Sequence, residues 1–270
     1  MTYFGFLLRF LVVPIFALGA VMLNERRRPG SRRLPARDGR SWLVVLIHVV
    51  IAVLYTTPWD NYLVATRVWW YDPSLVTGIT LGWVPLEEYT FFVLQTLLAG
   101  MWVLFLAGHL APAQASRSQA ARSTRIVATS VTMLVWVGAV VLLFAGWAPG
   151  TYLALELAWA LPPIALQLAF GADILWRYRR LAGLAIVPLT LYLSLGDALA
   201  IGSGTWTINP EQSLELLLGG ILPLEELLFF LLTTTLVTFG VTLMLAPETL
   251  ARFSGMRERW RGTFTPTLRA

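Results

Sequence analysis

Seven apolar runs, each close to the length of a membrane span, constrain this sequence more than any other feature. A helix needs about 20 apolar residues to cross about 30 Å of hydrocarbon. The runs extend from Tyr3 to Leu23, Trp42 to Thr57, Pro85 to Ala107 and Ile126 to Trp147, then from Tyr152 to Trp176, Leu181 to Asp197 and Pro223 to Ala246. They predict an all-α integral membrane protein with seven transmembrane helices. Composition agrees: 57% of residues are hydrophobic and 13% charged, whereas a soluble domain carries about a quarter charged residues. An ordinary cytosolic enzyme and a disordered chain are both excluded. The first run lacks a basic leader and a small-residue cleavage site, so it reads as a span and not as a cleavable signal.

The positive charge is confined to four segments. Arg26 to Arg40 holds seven Arg, Arg117 to Arg125 three, Arg177 to Arg180 three and Arg252 to Arg269 five. All four fall on one face if the N-terminus is outside and the C-terminus cytoplasmic, as the positive-inside rule expects of a multi-pass protein of the cell membrane. The basic surplus therefore reports topology and contact with anionic membrane lipids. No basic, aromatic-interleaved module points to nucleic acid. Every basic residue is Arg, and Cys is absent. That removes disulfides, thiolate metal sites and Cys nucleophiles, and also any Schiff-base mechanism, retinal attachment included.

The chain repeats itself. Thr2, Tyr3 and Pro14 match Thr151, Tyr152 and Pro163, while Asp60, Trp69, Asp72 and Pro73 match Asp197, Trp206, Asn209 and Pro210. One residue is then inserted in the second copy. Beyond it, Gly82 to Glu88 matches Gly220 to Glu226, and Phe91-Phe92 matches Phe229-Phe230. The expected architecture is two parallel three-helix repeats joined by a linking helix. Residues 1–107 form the first repeat, 108–150 the linker with span four, 151–246 the second repeat and 247–270 a cytoplasmic basic tail. Three spans end on the side opposite their start, so fusing two such units in one orientation requires an odd number of linking spans.

Negative charge gathers at the other face. Asp60, Asp72, Glu87, Glu88, Asp197, Glu211, Glu215, Glu225 and Glu226 all fall at or near the outer ends of spans two, three, six and seven. Glu87-Glu88 and Glu225-Glu226 open apolar helices at the hydrocarbon boundary, where carboxylates are expensive and usually functional. Helix capping is the plainer explanation, since Pro followed by two acids suits a helix start. Two copies of Pro-Leu-Glu-Glu-x-x-Phe-Phe exceed what capping needs. Adjacent helix residues point about 100° apart, so one acid of each pair faces inward. Glu87 shares a face with Phe91, and Glu225 with Phe229, which makes the first acid of each pair the inward candidate. Trp69, Trp70, Tyr71 and Trp206 line a pocket or form an interfacial belt. Arg9 and Glu156 lie at similar depth and could pair across the copies. His48 has no second His near enough for a metal pair.

The doubled Pro-Leu-Glu-Glu-x-x-Phe-Phe, each copy preceded by Asp and by Trp-x-x-[Asp/Asn]-Pro, resembles the membrane-embedded lycopene cyclases. These occur as two three-span subunits in some bacteria and as fused proteins in archaea, bacteria and fungi. The chain looks like the fused form without the phytoene synthase domain of fungal relatives. It has no Gly-x-Gly-x-x-Gly fingerprint of flavin-dependent cyclases. The resemblance implies lycopene and other linear carotenoids as substrates, no cofactor, no metal, and association with other enzymes of the carotenoid pathway. It implies cyclisation of lycopene ends to β-ionone rings, through one-ring γ-carotene to β-carotene. A proton adds to the terminal alkene, the ring closes through a carbocation, and another proton leaves. The acid must hold its proton to begin, which desolvation and a neighbouring carboxylate favour; a second carboxylate accepts the departing proton. Glu87, Glu88, Glu225, Glu226, Asp60 and Asp197 are the catalytic candidates. Trp69, Trp70, Trp206, Phe91, Phe92, Phe229 and Phe230 are the substrate-binding ones, with aromatic faces to steady the cation. Both motifs face one leaflet, so a spanning polyene presents one end at a time. A hydratase would share the first step, water then capturing the cation. From another class, a proton-coupled transporter would use the carboxylates as carriers, with Pro in spans one and five breaking the helices.

Overall fold

The computed structural model describes residues 1–26, 39–110 and 118–254. Among these, seven helices are long and apolar enough to cross a membrane, and the protein is an all-α integral membrane protein. The first helix, α1, comprises Tyr3–Leu7, a π-helical turn Leu8–Val12 and Val13–Arg26. It is followed by α2 (Gly39–Ala65), α3 (Leu86–Ala107) and α4 (Ser118–Ala145). The last three are α5 (Thr151–Arg177), α6 (Arg179–Gly202) and α7 (Leu224–Leu245). Helices α3 and α7 are the most buried, whereas α4 packs on α5 and leaves most of its apolar surface outside.

Prolines show how the sequence keeps these helices intact. Proline removes one backbone donor and frees the carbonyl four residues earlier, and in lipid an unpaired carbonyl costs several kcal/mol. Pro14 frees Phe10, whose carbonyl accepts from the Tyr192 hydroxyl at 3.1 Å. Pro163 frees Trp159, whose carbonyl accepts from the Tyr55 hydroxyl at 2.8 Å. Pro162 frees Ala158, met by Trp136 Nε1 at 3.1 Å, and Pro188 frees Leu184, met by Trp102 Nε1 at 3.1 Å. Each of these four gaps is thus filled by an aromatic polar tip from a neighbouring helix. The prolines of α1 and α5 tie neighbouring helices together; α5 leaves helical geometry not at its prolines but at Gly171 (φ −149°, ψ 27°), and α1 has its π-helical turn just before Pro14.

At the acidic end of the bundle, two helices run well past their apolar runs. Helix α2 continues through Pro58 to Ala65 and α6 continues to Gly202, past the expected ends at Thr57 and Asp197. Thr57 bonds back to the Val53 carbonyl at 2.6 Å and Asn61 to the Thr57 carbonyl at 3.0 Å, tying the chain on either side of Pro58. Asp60 and Asp197 therefore sit on rigid helix.

The connections at this end carry short ribbons. After α2 come β1 (Trp69–Tyr71), β2 (Thr80–Leu81) and β3 (Val84–Pro85); after α6 come β4 (Trp206–Ile208), β5 (Leu217–Leu218) and β6 (Leu222–Pro223). Strands β2 and β3 pair as a hairpin, as do β5 and β6. The turn at Gly82 has φ 71°, and a side chain there would strike Asn61. Strands β1 and β4 pair antiparallel, Trp69 opposite Ile208 and Tyr71 opposite Trp206, stitching the two halves together.

The far end of the bundle carries the ion pairs. Asp173 of α5 meets Arg252 at 2.5 Å and Arg125 of α4 at 3.5 Å, while Arg177 meets Glu248. Most of the first and last basic segments, and most of the 247–270 tail, lie outside the described residues.

Candidate active site

The ends of α2 and α6 and the starts of α1, α3, α5 and α7 converge on one cavity of about 40 Å³. Its wall contains four carboxyl side chains: Asp60, Glu88, Asp197 and Glu226. No Arg, Lys or His is among the lining residues.

The two acids of each pair divide their work. Helix α3 starts at Leu86 with no side-chain cap, and α7 starts likewise at Leu224. Glu87 Oε1 accepts from the Thr77 backbone N–H at 2.6 Å, and Glu225 Oε1 accepts from the Leu214 N–H at 2.7 Å. Each preceding loop folds over its helix start and engages the first acid. The expectation that Glu87 and Glu225 face inward is therefore corrected: they are buried, but they anchor loops. The next residue, about 100° further round, faces the cavity.

Phenols from the neighbouring helix starts meet those second acids. The Tyr3 hydroxyl donates to Glu88 Oε2 at 2.5 Å, and the Tyr152 hydroxyl donates to Glu226 Oε1 at 2.7 Å. Tyr71 on β1 adds a second donor to Glu88 Oε2 at 3.0 Å. Burial, with the Asp60 and Glu88 carboxyls nearby, pushes the Tyr71 phenol well above its ordinary pKa, so it stays a donor. Asp197 Oδ1 accepts from Trp206 Nε1 at 3.0 Å. Neither Asp60 oxygen has a hydrogen-bond partner among the described residues, although the side chain is 1% exposed.

Aromatic rings complete the wall. Phe91, Phe92, Phe229, Phe230, Trp69 and Trp206 all line the cavity. Trp69 and Trp206 are buried, which rules out a lipid-facing belt for them. Trp70 is half-buried and is not among the lining residues. Trp59, which stacks on Trp159 at 4.4 Å and on Phe229 at 6.0 Å, lines the cavity and has no aromatic counterpart, Gly196 occupying the matching position.

Other candidates are not among the residues that line the cavity. Asp72 accepts from the Ser74 hydroxyl and backbone N–H at 2.7 and 2.8 Å, and Asn209 accepts from the Glu211 N–H at 3.0 Å, so both shape turns. Arg9 and Glu156 do not pair: Arg9 bonds to the Gly5 carbonyl at 3.0 Å. Glu156 is fully buried with neither oxygen hydrogen-bonded among the described residues. His48 Nδ1 lies 2.7 Å from the Val44 carbonyl. No cluster of three metal-ligating residues occurs among the described residues. Sequence reasoning passed over Tyr3, Tyr152 and Trp59 as site residues. The recurring Thr-Tyr at each repeat start was the available signal for the two phenols.

Four carboxyls and three phenols inside an aromatic shell, without a cation, are equipped to hold, donate and accept protons and to steady a positive charge.

Comparison with known proteins follows the same outline. A sequence profile of the family described as Lycopene cyclase matches residues 32–106 and 149–244. A lycopene beta-cyclase of Halobacterium salinarum is 36% identical over 260 residues, covering 96% of this chain and 99% of that protein. Bifunctional lycopene cyclase/phytoene synthases of Podospora anserina and Colletotrichum graminicola are 34% and 38% identical over 72% and 73% of this chain. Those matches span 33% and 34% of the fungal proteins. No solved structure matches the chain.

Proposed function

The chain belongs to the lycopene cyclase family, and from that premise we propose that it closes the linear ends of lycopene into β-ionone rings by proton transfer alone. The observation that carries this reading is the pair of carboxyl–phenol contacts, Glu88 with Tyr3 and Glu226 with Tyr152, meeting in one aromatic-walled cavity. One carboxyl of this pair delivers a proton to the terminal alkene. Ring closure moves the positive charge inward, where Phe91, Phe92, Phe229 and Phe230 present their rings. The other carboxyl, ionised, takes the proton that leaves. Asp60 and Asp197 return protons between the two, and Tyr3, Tyr71 and Tyr152 hold the reacting oxygens in place. Glu87 and Glu225 serve the site indirectly, through the loops they hold. One proton enters and one leaves, so product and substrate are isomers. The reaction is an isomerisation without redox change and calls for no electron-carrying cofactor.

The same reading orients the molecule. The cavity end faces outside and the Arg-rich end the cytoplasm, with the N-terminus outside. The halves act as two parallel three-helix repeats, residues 1–107 and 151–246, with 108–150 as the link carrying α4 and 247–270 as a basic cytoplasmic tail. Exposed apolar side chains such as Leu134 and Phe144 of α4 contact membrane lipids. Enzymes that make linear carotenoids are the natural neighbours in the same bilayer.

Incubating the purified chain with lycopene in liposomes, without flavin or nicotinamide, tests the activity by product mass. Rings at unchanged mass are expected. Products heavier by one water would make the protein a hydratase, and unaltered lycopene would refute the reading.

A further inference from the structure

The reactive cavity is too small for its task in the conformation described. At about 40 Å³ it has room for about three waters at about 10–15 Å³ each, not for a branched isoprenoid end and the polyene behind it. A second cavity of about 190 Å³ adjoins it, bounded by α2, α3, α5 and α7. The two cavities have Phe92 and Phe229 in common. Ile51, Ala52, Tyr55, Pro163 and Leu236 give the second cavity an apolar wall. Two amides on that wall are tied to protein, Gln95 donating to Thr233 at 2.8 Å and Gln167 to the Leu236 carbonyl at 3.0 Å, while Gln167 Oε1 and Trp159 Nε1 have no partner among the described residues. Such a surface suits hydrocarbon.

The other half of the chain offers an internal control. At the repeat spacings, Ile51, Ala52, Tyr55, Pro163, Gln167 and Leu236 correspond to Pro188, Leu189, Tyr192, Pro14, Leu18 and Leu98. Those six residues line a separate hollow. It has no lining residue in common with the reactive cavity. The reason is a glycine. Gly196 lets α6 approach α1 so closely that an added Cβ would lie 3.3 Å from Phe10 and 3.4 Å from Phe6. At the matching positions of the other half stand the stacked rings of Trp59 and Trp159, which hold α2 and α5 apart.

Building on the cyclase reading, we infer that a linear polyene lies in the cavity between α2, α3, α5 and α7 and reaches the carboxyls past Phe92 and Phe229, while the matching hollow beside α1 and α6 gives no passage to them. Phe92 and Phe229 form the partition that turns aside as an end group enters. One seat leading to one reactive cavity means that the two ends of a lycopene react in separate binding events.

The chain has no cysteine, so a single thiol can be placed in each hollow. Ala52→Cys and Leu18→Cys would be reacted with pyrene maleimide in liposomes, and ring formation compared before and after labelling in the same preparation. Labelled Ala52→Cys should lose about tenfold or more of its own starting rate, and labelled Leu18→Cys should keep its rate. Lycopene loaded beforehand should slow labelling of Ala52→Cys and leave that of Leu18→Cys unchanged. This protection measures occupancy even if a variant turns over poorly. Full activity of labelled Ala52→Cys, equal losses in both variants, or absence of selective protection would overturn the proposal. Failure of the unsubstituted chain to form rings would instead defeat the cyclase reading, and protection would still report where the polyene sits.

Discussion

The two halves of the molecule match closely at the carboxyls and part company on their flanks. Glu88 with Tyr3 repeats as Glu226 with Tyr152, and the Glu87 loop anchor repeats as Glu225. Away from the reacting groups, Trp59 faces Gly196 in the comparison, Trp159 faces Phe10 and Gly240 faces Trp102. The Glu–Tyr pairs are kept in both halves, although Tyr71 adds a donor only to Glu88 and Trp206 donates to Asp197 while Asp60 has no partner among the described residues; the flanks diverge further. A second contrast runs within each half, between an acid that faces the cavity and an adjacent acid that holds a loop.

The largest expected effect breaks the contrast within a pair. Replacing Glu88 or Glu226 with Gln removes a proton donor or acceptor, and ring formation in membranes should fall about 10²-fold or more. Glu87→Gln and Glu225→Gln keep an acceptor for the loop N–H and should lose far less. Equal loss from all four would show that the pairs do not divide their roles.

A smaller effect separates the halves. Tyr152→Phe removes the phenol seen donating to Glu226, whereas Tyr3→Phe leaves Tyr71 still donating to Glu88. A hydrogen bond to a charged group contributes about 1.5–3 kcal/mol, so Tyr152→Phe should slow ring formation by about tenfold or more. Tyr3→Phe should be milder, and Tyr3→Phe combined with Tyr71→Phe should equal the Tyr152 effect.

Stability should also expose the flank difference. Gly196→Leu overpacks the α1–α6 contact and should cost about 1–3 kcal/mol, seen as a lower Tm in detergent. Glu156 corresponds to Leu7 in the first half. Glu156→Leu replaces a buried, unbonded carboxyl and should raise Tm, since an unpaired buried polar group costs about 1–3 kcal/mol.

The smallest effect belongs to Asp72, whose counterpart is Asn209. The Ser74 hydroxyl and N–H hold the Asp72 carboxyl below its ordinary pKa. That bond therefore favours the fold at neutral pH and is lost only as pH falls through the lowered value. At this exposed position Asn keeps an acceptor for both Ser74 donors, so Asp72→Asn should leave activity unchanged and lower Tm near pH 7 only slightly.

Much of this architecture is legible in the sequence because lipid simplifies the rules. Long apolar runs predict the helices, and the doubled acidic motif leads to the cavity where four carboxyls gather. Which acid of a pair faces inward is not legible from helix geometry alone. Phe91 and Phe92 both line the cavity, so the companion aromatic does not discriminate between Glu87 and Glu88. The deciding partners, Thr77 and Leu214, lie ten or eleven residues earlier in loops whose fold periodicity does not describe. The ends of α2 and α6 are less legible, because the apolar runs stop at Thr57 and Asp197 while the helices continue to Ala65 and Gly202. Side-chain bonds from Thr57 and Asn61 to the backbone carry α2 past Pro58.

One measurement tests most directly the claim that both halves build a single reactive cavity. Lycopene in large excess over the purified protein is sampled through time, and one-ring and two-ring products are resolved. A shared site that handles one end at a time predicts that the one-ring product accumulates first and declines only as lycopene runs out. Two-ring product appearing without a lag at the lowest enzyme concentration would contradict it.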